Sequence, residues 1–170
     1  MAYDHAKQAG MPLNTHVTIH WSGTSQMAAR VPERVQMLLE RMRHWLERRA
    51  VPCCYAWAQE PSKRKFEDTN VPHLHLMVHV PQCHRSAFEA MMPGWVGGIL
   101  ADHTLKFTDI GPKDWWQRTY LVKGVDPKTR NKGLQEIILR HGKKSSEARG
   151  PVEGKRCGVS RNLDLTARAK

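Results

Sequence analysis

A chain of 170 residues, 40% of them apolar, suits one compact domain and leaves no room for a second sizeable one. No apolar run approaches the ~20 residues of a bilayer-spanning helix, and MAYDHAKQAG has neither the basic start nor the apolar middle of a secretion signal, so a cytoplasmic protein with no membrane partner is expected. Lys and Arg number 27 against 16 acidic residues, a formal charge of +11, which points to a polyanionic partner such as nucleic acid.

Residues 1–13 carry Gly10 and Pro12 without periodicity and read as a loose lead. NTHVTIHW, 14–21, alternates around Val17 and Ile19 and predicts a strand. After turn-like SGTSQMAAR, residues 31–50 repeat Val35, Leu38, Leu39, Met42, Trp45 and Leu46 at helical spacing, with Pro32 suited to a first turn. CCYAWAQE, 53–60, predicts a second strand, and PSKRKFEDTNVP a polar, hairpin-type connection. VPHLHLMVHVP, 71–81, is a third strand with His73, His75 and His79 at odd positions and Leu74, Leu76, Val78 and Val80 between them. HRSAFEAMM predicts a short helix stopped by PGWVGG, and LKFTDI, 105–110, a fourth strand.

DWWQRTYLVKG, 114–124, has a helix-starting Asp and a helix-ending Gly, which sets Tyr120 and Lys123 three apart on one helical face. LQEIILRHGKK adds a helix, and the last residues are basic and rich in turn formers. The order β, α, β, β, α, β predicts an α+β protein: a split βαβ (ferredoxin- or RRM-like) antiparallel sheet with helices packed mainly on one face. The expected organisation is a lead (1–13), one functional domain (14–145) and a basic C-terminal arm (146–170). Cys53, Cys54, Cys83 and Cys157 form no CxxC pair, so they are expected to be reduced structural thiols.

Side chains alternate across a strand, so His73 and His75 project from one side ~6–7 Å apart, within reach of a single divalent cation. The leucines and valines between them would fill the core. Met77 is the one apolar residue among the histidines. His79 lies ~13 Å beyond His75 by strand rise, too far to join the same ion, and suits surface packing or contact with DNA.

Three blocks, in this order, resemble the HUH endonucleases, and within them the rolling-circle replication initiators of plasmids and single-stranded DNA phages and viruses. They are HVTIHW at 16–21, PHLHLMV at 72–78 and YLVKG at 120–124. The resemblance implies that His73 and His75 are metal ligands, that Tyr120 is the nucleophile and that Lys123 assists it. It also implies a third ligand from the strand preceding the histidines, where Glu60 and Gln59 compete. These two point to opposite faces, so one alone can serve; an anionic oxygen on Glu60 suits Mn²⁺ or Mg²⁺ better than an amide. The implied activity is site-specific nicking and rejoining of single-stranded DNA at a replication origin, through a 5′-phosphotyrosine intermediate.

KRK at 63–65, RHGKK at 140–144 and GKRCGVSR at 154–161 are candidate phosphate contacts, and Trp115 and Trp116 candidate base-stacking residues. No GxxxxGK[ST] loop occurs, so a separate helicase would unwind the duplex. The alternative is a noncatalytic RRM-like nucleic-acid-binding module, although an aromatic-rich RNP pattern is missing. A two-histidine phosphoesterase would need two histidines each followed by Thr or Ser two residues on. His16 with Thr18 supplies one such pair, and His73 and His75 do not supply the other.

Overall fold

The structure, a computed structural model, describes residues 2–25, 30–60, 73–111, 155 and 157–163. The segment 114–124, the connection 61–72 and the helix expected at LQEIILRHGKK lie outside the described residues. Tyr120, Lys123, Trp115 and Trp116 lie outside them too.

Five strands form one antiparallel sheet: β1 (Thr15–His20), β2 (Tyr55–Glu60), β3 (His73–Val78), β4 (Leu105–Asp109) and β5 (Cys157–Val159). Their order is β4-β1-β3-β2-β5. The crossover from β1 to β2 runs through helix α2 (Val31–Glu47), and β3 inserts between those two strands. This is the split βαβ arrangement, continued to β4 through α3 (Arg85–Trp95). The expected α+β fold is the observed one.

Strand parity decides which residues the helices cover. Val17 and Ile19 of β1, Trp57 of β2, and Leu74, Leu76 and Val78 of β3 pack into one cluster with Leu38, Met42, Trp45 and Leu46 of α2 and Phe88 of α3. Trp45 meets both Phe88 and Trp95 edge-on at 5.8 Å between centroids, a geometry that adds about 0.5–1.5 kcal/mol per pair beyond burial. Helix α2 has Pro32 in its first turn. It ends with Ala50 at φ 55, where the Val51 amide reaches back to the Leu46 carbonyl at 3.1 Å.

Three expectations are corrected. The lead is no loose segment: Ala2–Gln8 form a helix, α1, whose Ala6 is buried together with Leu13 against Met77, Ala56 and Cys54. The C-terminal arm is likewise docked in part. Residues 157–159 pair with β2 as β5, and Leu163 is buried in the same second cluster. In both cases a few apolar side chains in a polar context cover an apolar patch on the sheet, a tertiary effect that local periodicity does not reveal. Lastly, α3 runs through Pro93 to Trp95 rather than stopping before it. Burial of Met92 and Trp95 in the core outweighs the proline penalty of about 3 kcal/mol, and the chain leaves the helix at Gly97 and Gly98, both at φ 93. No described helix is long and apolar enough to cross a membrane.

Candidate metal centre

On the face of the sheet opposite α2 and α3, paired strands bring polar side chains into rows. His20 of β1 lies across from His73, and Glu60 of β2 flanks His73 from the other side. In the next row Thr18 and Ala58 flank His75, with Lys106 of β4 across from Thr18. His16 lies across from Met77.

The two histidines and Glu60 converge. The Glu60 Oε2 atom is 3.4 Å from His73 Nε2 and 3.9 Å from His75 Nε2. One donor atom from each of the three residues lies within 4.8 Å of the other two, the one such group among the described residues. Bonds of ~2.1 Å to a divalent ion place neighbouring donors ~3–3.5 Å apart, so small rotamer adjustments bring this set onto one ion. Glu60 and His75 are 1% and 2% exposed, while His73 is partly exposed. All three donors come from adjacent strands and approach an ion from the sheet side. Two imidazoles and a carboxylate are a donor set that could hold a divalent metal ion.

Of Glu60 and Gln59, the register puts Glu60 on the side of His73 and His75. Gln59 lies on the helix side of β2, where its Nε2 donates to the Lys155 carbonyl at 3.0 Å. His79 stands apart from the centre, its Nδ1–H donating to the Pro12 carbonyl at 2.8 Å and anchoring the segment after α1. Tyr55 lies among the core residues on the helix side, where burial pushes its hydroxyl pKa up. Tyr3, by contrast, packs against the second cluster, on the histidine side of the sheet. Burial pushes the Cys54 thiol up to about 12 and the Cys53 thiol up to about 11, in the latter case with help from Glu47. All four cysteines are free thiols.

The residues around the ligands were not singled out as part of the centre from sequence. His16 Nε2 lies 3.2 Å from His75 Nδ1, and Thr18 Oγ1 lies 3.3 Å from the same atom. Burial, reinforced by the charge of Lys106, holds the His16 pKa down at about 4, so this imidazole is neutral at neutral pH. His20 stacks on His73 at 5.2 Å, and His103 meets His20 edge-on at 6.1 Å. The signal was present in NTHVTIHW, where His16, Thr18 and His20 share one parity opposite Val17 and Ile19.

The class defined by these features is an α+β protein with a split βαβ sheet and a two-histidine, one-glutamate cluster on its uncovered-by-α2 face. Compared with family models, curated proteins and solved structures, the chain gives no match.

Proposed function

We propose that this chain is a metal-dependent endonuclease and strand transferase of the HUH type, which nicks single-stranded DNA at a replication origin and starts rolling-circle replication in the cytoplasm. The observation that carries the reading is the convergence of Glu60, His73 and His75, three residues singled out from motif order and strand parity. The charge of +11 favours a polyanionic substrate.

Glu60, His73 and His75 would hold Mn²⁺ or Mg²⁺. When bound there, the ion would supply charge to offset a nonbridging phosphate oxygen and ease departure of the leaving oxygen. Tyr120 supplies the nucleophile: its phenolic oxygen bonds to phosphorus as the bond from phosphorus to the 3′ oxygen breaks. The phenolic proton is lost to solvent or a base, and the 3′ oxygen leaves as a hydroxyl after gaining a proton. The products are a 5′-phosphotyrosine and a 3′ end that can prime synthesis, and the ester conserves the bond for rejoining. An unperturbed tyrosine has a pKa near ~10, and a cation on Lys123, three residues along the sequence, would favour the phenolate. Unwinding falls to a separate helicase.

The test is incubation of the chain with single-stranded oligonucleotides from its own replicon's origin, in Mn²⁺ or EDTA, followed by denaturing electrophoresis. A protease-sensitive covalent adduct that needs metal and vanishes in Tyr120→Phe is expected. DNA binding with no adduct in any metal would favour the noncatalytic RRM-like module instead.

A further inference from the structure

We propose that His16 is a positioning residue for the metal centre: its Nε2 accepts the Nδ1 proton of His75 and thereby fixes the tautomer in which His75 presents Nε2 to the cation. The inference rests on the metal-site reading above.

The geometry leaves each nitrogen one task. His75 Nε2 is the ring atom that faces Glu60, 3.9 Å from Oε2. That separation is too long for a hydrogen bond and compatible with an ion between the two. A neutral imidazole that binds an ion through Nε2 carries its one proton on Nδ1. That Nδ1 lies 3.2 Å from His16 Nε2, and both side chains are buried, 6% and 2% exposed. Two ring nitrogens at this distance share a single proton, so with the proton on His75 the acceptor is His16 Nε2. Its own proton then sits on Nδ1.

Thr18, directly across from His75 on β1, offers a hydroxyl oxygen at 3.3 Å from the same Nδ1 and braces the ring from within its own row. The rings of His16 and His75 are 5.3 Å apart and tilted by 38°, so the contact is edge-directed rather than a stack. His73 instead stacks on His20, and His75 is the one whose Nδ1 His16 contacts directly. Partners of this kind orient a ligand and raise its basicity, and their loss typically costs about 10–100-fold in metal affinity.

The experiment is calorimetric titration of Mn²⁺ into the full chain and into His16→Leu, His16→Gln and Glu60→Gln. Glutamine places an amide oxygen near the position of the imidazole Nε2, so it keeps the acceptor that leucine removes. The expected result is a Kd weakened about 10–100-fold in His16→Leu and mostly restored in His16→Gln, with Glu60→Gln losing binding outright. Equal affinity in the unaltered chain and His16→Leu would overturn the inference while leaving the metal site standing. Equal weakening in the leucine and glutamine variants would overturn it too, since packing rather than proton acceptance would then explain the loss. No Mn²⁺ binding by the unaltered chain would overturn the metal-site reading itself. If the leucine variant does not fold, long-range ¹H–¹⁵N NMR of the unaltered chain loaded with Zn²⁺ decides the matter. A protonated His75 Nδ1 facing an unprotonated His16 Nε2 is expected, and the reverse assignment refutes the inference.

Discussion

Acid should destabilise this protein through His16 in a defined pH window. In the folded chain its pKa is held at about 4, against 6.5 for an unperturbed imidazole, because burial and then the Lys106 charge disfavour the cation. Between pH 6.5 and pH 4 the unfolded chain therefore binds a proton that the folded chain does not. Stability is intact above the unfolded value, falls as the pH drops through the window, and levels off below the folded value. At ~1.4 kcal/mol per pKa unit the full loss is about 3 kcal/mol, a large share of the 5–15 kcal/mol typical of a domain. Other groups titrate over the same range, so the quantity to measure is a difference. Urea unfolding in EDTA, run from pH 7.5 to pH 4 on the unaltered chain and on His16→Gln, isolates it, because glutamine does not titrate. The unaltered chain should lose about 3 kcal/mol more than the variant across the window. Parallel curves for the two proteins would refute the assignment of a buried, neutral His16.

The proposed nucleophile, Tyr120, is separable from Tyr3, which packs on the histidine side of the sheet: Tyr120→Phe should abolish the covalent DNA adduct, while Tyr3→Phe should leave it intact, read on the same denaturing gel. Exchanging Glu60 and Gln59 as a double variant keeps composition and charge but moves the carboxylate to the helix side; Mn²⁺ binding by calorimetry should be lost, as in Glu60→Gln alone. Ala50 sits at φ 55, where an L side chain is strained, so Ala50→Gly should raise stability by about 1 kcal/mol in urea unfolding. A Cβ at Gly158 would lie 2.7 Å from Trp57 Nε1, so Gly158→Ala should cost about 1–3 kcal/mol, read as a lowered Tm.

What was legible in the sequence was whatever period alone encodes. The alternation in NTHVTIHW and PHLHLMV gave two central strands and the face on which His73 and His75 stand, and the spacing of Val35, Leu38, Met42 and Trp45 gave α2. Glu60 followed from parity combined with the anionic chemistry of its oxygen. Elements stabilised by docking were not legible. Helix α1 has only seven residues, too short to be stable by propensity, and it exists against Met77 and Ile110. Strand β5 has three residues in a basic, turn-rich context, and its pairing partner β2 is a hundred positions away. The part played by His16 escaped for a related reason: its partner, His75, is 59 positions distant, and only the register of β1 on β3 makes them neighbours.

The same register explains how one strand face performs two tasks. His73, His75, Met77 and His79 alternate to a single side of β3, yet their surroundings differ along its length. At the His73 end the neighbours across the sheet are Glu60 and His20, polar groups that can share a cation or its ligands. At Met77 the neighbours across the sheet are Ala56 and His16, and from outside the sheet Ala6, Leu13 and Leu163 form an apolar lid in which a further imidazole would lose its solvation. Methionine at this position is therefore what lets α1 and Leu163 close over the sheet, and the unbranched thioether suits a gap filled from three separate segments. Beyond it the backbone of the lead returns to the surface of the sheet, and His79 finds the Pro12 carbonyl. The apolar lid thus divides the histidines: two on its near side converge on Glu60, and one on its far side pins the chain that forms the lid.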